Sequence, residues 1–494
     1  MSETPFPYLH NNSERVALVE GDNTHTYSEV NSRIDRFATG LLGGKDDLQE
    51  ERIAFFMPAS LDYVTTMHGV WRAGGIAVPL NVASAVSELD HYLSCASVTR
   101  MVANGEYQES LRDLCASLNI ELVSVEDVLV DAAGPLPELA LERRAMMLFT
   151  SGTTNKPKGV VSTHKTVRAQ ITTLVDAWEW SEDDVIPLFL PLHHIHGIIN
   201  ILSCGLWAGA TVHLFAKFDI PKISAQIVAG TYNVFMAVPT IYVKLIQYFD
   251  TIDPAEVQKI CDGFKEMRLN ISGSAACPVK LFNQWQDLTG QVLLERYGMT
   301  EIGMGISNPY NGERRAGAVG QALPGVECKL FDEYDGPITE DAVAGEIRIK
   351  GDNVFLEYWD NETATTESFK DGWFCTGDVA VLEDGYYRIM GRSSVDIIKS
   401  GGYKLSALEI EGVLLTHDDI EEVAVIGVED DTWGEAVTAF IAVKAGASLE
   451  YESLKTWCDG RMSSYKIPKS LILIDALPRN AMGKVTKPAL KEML

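Results

Sequence analysis

The stretch from Arg52 to Leu80 constrains the fold more than any other. Residues 52–57 form an apolar run of strand length, 61–73 carry apolar side chains at helical spacing, and 75–80 form a second apolar run between Gly75 and Leu80. Two apolar strands joined by one helix read as a βαβ unit, whose crossover makes the strands parallel. A parallel sheet has to be covered on both faces, so further helices must flank it. One is signalled by Thr26 and Glu29, spaced as a capping box, followed by Val30, Ile34, Phe37, Ala38 and Leu41 at helical intervals. The alternation resumes near 99–103 and 232–238.

Beyond Ala316 the texture changes to short alternating runs at 326–331, 345–350, 379–382 and 386–390, the pattern of a smaller β-rich lobe. A second change falls at Gly391-Arg392. After it come a helical pattern at 406–415, strands at 422–428 and 436–443, and a helical pattern at 451–461. The expected architecture is α/β: a large multi-subdomain body over 1–391, with parallel sheets and a β-rich lobe, followed by a small α+β domain over 392–494. A chain of 494 residues has room for about three domain-sized units.

Charge and cysteine usage narrow the function. Lys and Arg number 41 against 69 Asp and Glu, a formal net charge of −28. No chain-wide basic footprint exists for nucleic acid, and an anionic membrane surface repels the chain. Any anionic substrate needs local positive groups. The eight cysteines are scattered with no Cys-x-x-Cys pair, which points to reduced thiols and a cytoplasmic setting. Residues 1–12 have no basic or apolar targeting pattern. The most apolar stretch, 197–215, is broken by Gly205 and Gly209 and reads as a buried helix leading into a strand rather than a membrane span.

The strongest chemical signal is the segment 148–160. An apolar strand pattern runs into Thr150, Ser151, Gly152, Thr153, Thr154 and then Lys156, Lys158 and Gly159. Glycines let backbone N–H groups approach a phosphate, hydroxyls donate hydrogen bonds, and lysines add charge. It is not a Walker A loop, because no Gly-Lys-Ser/Thr opens a helix there. From composition alone a surface loop and a phosphate cradle fit equally.

The order of residues goes further. Ser151 to Gly159 resembles the phosphate loop of the adenylate-forming superfamily of acyl-CoA synthetases, adenylation domains and luciferases. Four more motifs follow in that family's order: Tyr297-Gly298-Met299-Thr300-Glu301, Thr376-Gly377-Asp378, Gly391-Arg392 with Ser400-Gly401-Gly402, and Pro478 through Lys484. The resemblance spans essentially the whole chain. It implies ATP, Mg²⁺ and coenzyme A as cofactor and co-substrates, and an acyl-adenylate made first and passed to a thiol second. Thr150, Ser151, Gly152, Thr153, Thr154 and Lys158 would hold phosphates. Thr300 would meet the α-phosphate, and Glu301 would bind the metal. Tyr297 would stack on adenine, Asp378 and Arg392 would hold the ribose, and Lys484 would bridge carboxylate and phosphate. Ser400, Gly401 and Gly402 would face CoA.

Three histidines, His193, His194 and His196, crowd four positions. Neighbouring Cys, Asp or Glu ligands are missing and adjacent side chains diverge, which argues against zinc. The resemblance instead places His194 in the acyl pocket, with His196 assisting. Within the superfamily the chain is most similar to malonyl-CoA synthetases, which implies a malonate-type acid. Lys244 would pair with the distal carboxylate, while Ser274, Gly298 and Met299 line the acyl site. Arg315 is a further candidate cation. Alternatives are a short- or medium-chain fatty acyl-CoA synthetase, or a stand-alone enzyme loading a carrier-protein thiol. Partners are small molecules, and the chain is expected as a monomer or homodimer. Seven residues separate Arg392 from Ser400, one more than in the common family pattern, so the hinge falls among Ser393, Ser394 and Val395.

Overall fold

The structure is a computed structural model describing residue 9 and residues 13–150, 157–400, 403–430, 433–479 and 485–494. The predicted βαβ unit is present as Arg52–Phe56, Leu61–Arg72 and Ile76–Pro79, with the two strands parallel and Ile53 opposite Ala77. It sits in a seven-stranded sheet ordered Glu357–Tyr358, Lys158–Thr163, Arg144–Thr150, Ile76–Pro79, Arg52–Phe56, Arg100–Ala103, Glu121–Val123. The helix Tyr27–Leu42 begins at the anticipated cap. Thr26 accepts the Glu29 backbone N–H, and the Glu29 side chain accepts that of Thr26.

Two further sheets complete the body's α/β part. Asn23–Thr26, Val16–Glu20, Thr211–Leu214 and Val185–Leu188 form one. Val234–Ala237, Leu269–Ser272, Leu294–Met299, Gly303–Ser307 and Gln321–Ala322 form the other, parallel in its first three strands and antiparallel after. The apolar 197–215 stretch is a π-helical segment, His196–Ser203, continued by Cys204–Ala208 and the strand Thr211–Leu214. No helix among the described residues is long and apolar enough to cross a membrane.

The β-rich lobe is a six-stranded sheet built around Gly345–Lys350 and Trp373–Glu383. Inward and outward residues alternate along the longer strand for most of its length, as one half-buried face requires. The strand Tyr386–Arg392 pairs with it and carries the chain out.

Past Arg392 the strands Tyr403–Ser406, Ile397–Ser400, Gly434–Val443 and Ile420–Asp430 form the last sheet, with Ser470–Leu473 parallel to Gly434–Val443. Apolar cores divide at the same place. Two clusters draw only on residues 9–387, and two others only on 398–490. The C-terminal unit is closed by a buried ion cluster: Lys487 Nζ lies 2.6 Å from Asp396 Oδ1 and 2.7 Å from Glu411 Oε1. Burial alone pulls the Lys487 ammonium down, but the two carboxylates outweigh it and raise its pKa.

Lys487→Met leaves two buried carboxylates facing each other with no cation. Breaking a buried pair on one side costs about 3–5 kcal/mol. Denaturant unfolding of the purified variant, followed by a probe within 397–494, should show a loss of that size.

Candidate functional site

Several of the sequence-derived candidates meet around one carboxylate. Asp378, 9% exposed, stands on the strand Trp373–Glu383. The Tyr297 hydroxyl donates to its Oδ2 at 2.6 Å, and Arg392 Nε donates to its Oδ1 at 2.9 Å. The Leu294–Met299 strand, the β lobe and the exit strand Tyr386–Arg392 are thereby joined at a single side chain. Tyr297, expected to stack on a base, is a hydrogen-bond donor to Asp378 here.

Glu301 lies just past the same strand and is 5% exposed. Its Oε1 accepts from the Tyr358 hydroxyl at 2.9 Å. Burial pushes its pKa up, and the hydroxyl together with Arg392 and Lys158 works against that shift. Thr150 and Lys158 are paired across an antiparallel hairpin whose strands run into and out of the phosphate-loop motif. Lys158 Nζ sits 4.6 Å from the centre of the Tyr358 ring. Thr300 is half-buried at the turn beside Glu301. Ser151, Gly152, Thr153, Thr154, Gly401, Gly402 and Lys484 lie outside the described residues. Ser400 is buried, its backbone paired with Tyr403 and Gly434.

A second cluster lies on the other side of the same strand. Arg296 is 4% exposed, and none of its described neighbours is a carboxylate partner. Its Nη2 donates to Ser274 Oγ at 3.3 Å, while Nε has no hydrogen-bond partner among the described residues. Burial pulls the guanidinium down to about 9, still cationic at neutral pH. His196 Nδ1 is 3.1 Å from the same Ser274 Oγ, and its Nε2 is also unpartnered among the described residues. Burial, reinforced by Arg296 and His194, keeps the His196 ring neutral. A Cβ on Gly273 would fall 2.5 Å from the guanidinium, so the backbone is bare where Arg296 lies against it. Ser274 adopts φ +68°, a left-handed conformation that costs energy for a serine.

Other candidates differ from expectation. Lys244 stands on the exposed side of the helix Pro239–Phe249, because Ile241, Tyr242, Leu245 and Phe249 claim the buried side. Arg315 is spent on Glu313 at 3.0 Å and Asp384 at 3.7 Å, and lies over the Tyr386 ring. Gly298 is bare for packing: a Cβ there would meet the Gly303 carbonyl at 2.0 Å. Met299 ends the strand half-buried. His194 is half-buried, its ring 4.1 Å from that of His193, whose pKa burial and His194 push down to about 3. Among the described residues no group of three His, Cys, Asp or Glu could hold a metal ion. Sequence reading missed Arg296 and Tyr358. Arg296 directly precedes the Tyr297–Glu301 motif, but a lone arginine in a strand pattern carries no sign of being buried and unpaired.

The chain matches the AMP-binding enzyme family over residues 8–359 and the AMP-binding enzyme C-terminal domain over 409–484. It belongs to that family. It is 40% identical to the mitochondrial malonate–CoA ligase of Homo sapiens, over 97% of this chain and 89% of that protein. It is 36% identical to a malonate–CoA ligase of Arabidopsis thaliana, over 99% of this chain and 88% of that one. The ATP-bound crystal structure of MatB from Rhodopseudomonas palustris superposes with a TM-score of 0.90 at 31% identity, covering 99% of each chain. The fold is therefore that of the AMP-forming acid–CoA ligases, a large α/β body with a small C-terminal unit.

Asp378→Asn removes the charge that Arg392 and Tyr297 grip. Hydrogen bonds to charged groups are worth about 1.5–3 kcal/mol. Isothermal titration with ATP should show affinity at least about tenfold weaker, with the apo protein still folded.

Proposed function

We propose that the protein is an ATP-dependent malonate–CoA ligase. The carrying observation is Arg296: a buried guanidinium that has, among the described residues, no acidic partner and no acceptor for Nε, and that shares Ser274 with His196. Nature rarely leaves a buried cation unpaired, and a second carboxylate on the substrate would complete it. Neutral His196 and the Ser274 hydroxyl add hydrogen-bonding capacity without adding charge. A fatty acid would instead strand the guanidinium against a methyl terminus.

The first step joins two anions. A carboxylate oxygen attacks the α-phosphorus of ATP, and pyrophosphate leaves as the acyl-adenylate forms. Positioning and neutralisation therefore carry the catalysis. Asp378 with Arg392 would fix the ribose, Lys158 the phosphates, and Lys484 the reacting carboxylate. Glu301 suits a hard cation, because one buried carboxylate oxygen beside substrate phosphates is a usual Mg²⁺ environment. When bound, Mg²⁺ neutralises phosphate charge. In a chain of net charge −28, these local cations make the site attractive to anions that the overall field repels.

In the second step the CoA thiol attacks the acyl carbonyl and AMP leaves. We place the domain boundary at Arg392 and the pivot for exchanging the two steps at Ser394 and Val395. Ser393 is tied back to the body through Gly377 O by both its N–H and its hydroxyl, at 2.9 and 3.1 Å. Asp396 already belongs to the C-terminal ion cluster. We also place the protein in a reducing compartment, the cytoplasm in our reading. All eight cysteines are free, which suits the mitochondrial matrix equally, and imaging of the tagged full-length protein separates the two.

A substrate panel with CoA as acceptor tests the reading: kcat/KM should be highest for malonate or its methyl derivative, and low for butyrate and hexanoate. Arg296→Met should lower kcat/KM for malonate by about 100-fold or more, in line with a charge pair broken on one side, and lower that for butyrate far less. Equal turnover of malonate and hexanoate by the unaltered protein would overturn the assignment. Preference for a carrier-protein thiol over CoA would turn it into a loading enzyme.

A further inference from the structure

Tyr358 belongs to none of the phosphate, ribose or acyl motifs, yet it touches two of the groups assigned to phosphate handling. It lies on the two-residue strand Glu357–Tyr358, which pairs antiparallel with Lys158–Thr163 so that Tyr358 faces Val160. The surrounding segment is fastened to the turn that carries Glu301. Phe355 N–H donates to Glu301 O at 2.7 Å, Asn353 Nδ2 donates to Ile302 O at 2.7 Å, and the Thr166 hydroxyl reaches Val354 O at 3.4 Å. Tyr358 itself is 8% exposed. Its backbone N–H donates to Thr365 Oγ1 at 3.0 Å, and its ring packs 4.8 Å from that of Phe355. The backbone of Tyr358 and its neighbours is therefore anchored, and its ring is packed on Phe355, before the side chain meets the site.

Its two ends do different work. The hydroxyl donates to Glu301 Oε1 at 2.9 Å, and the face of the ring receives Lys158 Nζ at 4.6 Å. A buried carboxylate with free rotamers would spend much of its time in orientations useless to a cation. The hydrogen bond donated by Tyr358 restricts that rotation and aims the carboxylate. The ring quadrupole holds the ammonium without neutralising it, which leaves Lys158 its full charge for an anion.

We propose that Tyr358 is a positioning residue for nucleotide and metal: its hydroxyl sets Glu301 for Mg²⁺ while its ring sets Lys158 for phosphate. The inference rests on the ATP-dependent reading above. It predicts that the two functions separate in two variants. Tyr358→Phe keeps the ring and loses the hydroxyl. Tyr358→Leu loses both.

ATP binding is measured by isothermal titration on the full chain over a series of Mg²⁺ concentrations and in EDTA. For Tyr358→Phe, the Mg²⁺ concentration giving half the affinity gain should rise about tenfold, the scale of one hydrogen bond to a charged group. Its affinity in EDTA should stay within about twofold of the unaltered protein. Tyr358→Leu should weaken binding in EDTA as well. A merely structural role would lower both affinities together in Tyr358→Phe, and that result overturns the proposal. So does an unchanged Mg²⁺ dependence. If Tyr358→Phe melts early, the comparison moves to a Glu301→Gln background. There Tyr358→Phe should add no further shift in Mg²⁺ dependence, and an added shift counts against the proposal. Should the unaltered protein bind no ATP at any Mg²⁺ concentration, the functional reading itself fails and takes this inference with it. Magnesium-enhanced binding in the unaltered protein alongside an insensitive Tyr358→Phe removes only the inference.

Discussion

The carboxylate of Asp378 is the fastening on which the site depends. It takes a hydroxyl from Tyr297 on one oxygen and a guanidinium N–H from Arg392 on the other. These donors come from separate sheets, so the α/β body, the β lobe and the strand leading to the C-terminal unit share one electrostatic joint. An isolated buried carboxylate would be costly. Two donors of fixed geometry make it affordable and fix the distance between the strand that carries Tyr297 and the residue at which the chain leaves the body.

The strand Leu294–Met299 then acts as a divider. Arg296 points to Ser274 and His196, while Tyr297, its neighbour, points to Asp378. A strand alternates its side chains by nature, so one short segment can serve two clusters of opposite need. One is a pair of charges already matched within the protein. The other is a cation left unmatched. Ser274, one of several non-glycine residues in the left-handed region, lies on the unmatched side.

Much of this was legible in the residues. The βαβ unit at 52–80 and the capped helix after Thr26 follow local rules of spacing and capping, and the structure reproduces them within a residue or two at each end. The strand 379–382 was read too short, because Trp373–Glu383 continues through Gly377, a residue that usually breaks a strand pattern. Motif order brought together Tyr297, Asp378 and Arg392. What could not be read was burial of charge. Lys244 and Arg296 are both single cations in apolar segments. Only the packing of Ile241, Tyr242 and Leu245 beneath one, and of Gly273 against the other, tells which faces water. Tyr358 was invisible for a related reason, since its partners lie 57 and 200 positions away in sequence.

The contact of Lys487 with Asp396 has a mechanical meaning. It stitches the helix Lys487–Lys491 to the first residue beyond the proposed pivot. The small unit is thus a closed ring rather than a string of elements hung from one end. In the proposed exchange of steps, torque at Ser394 and Val395 would reach its far edge without slack, as through a crank of fixed throw.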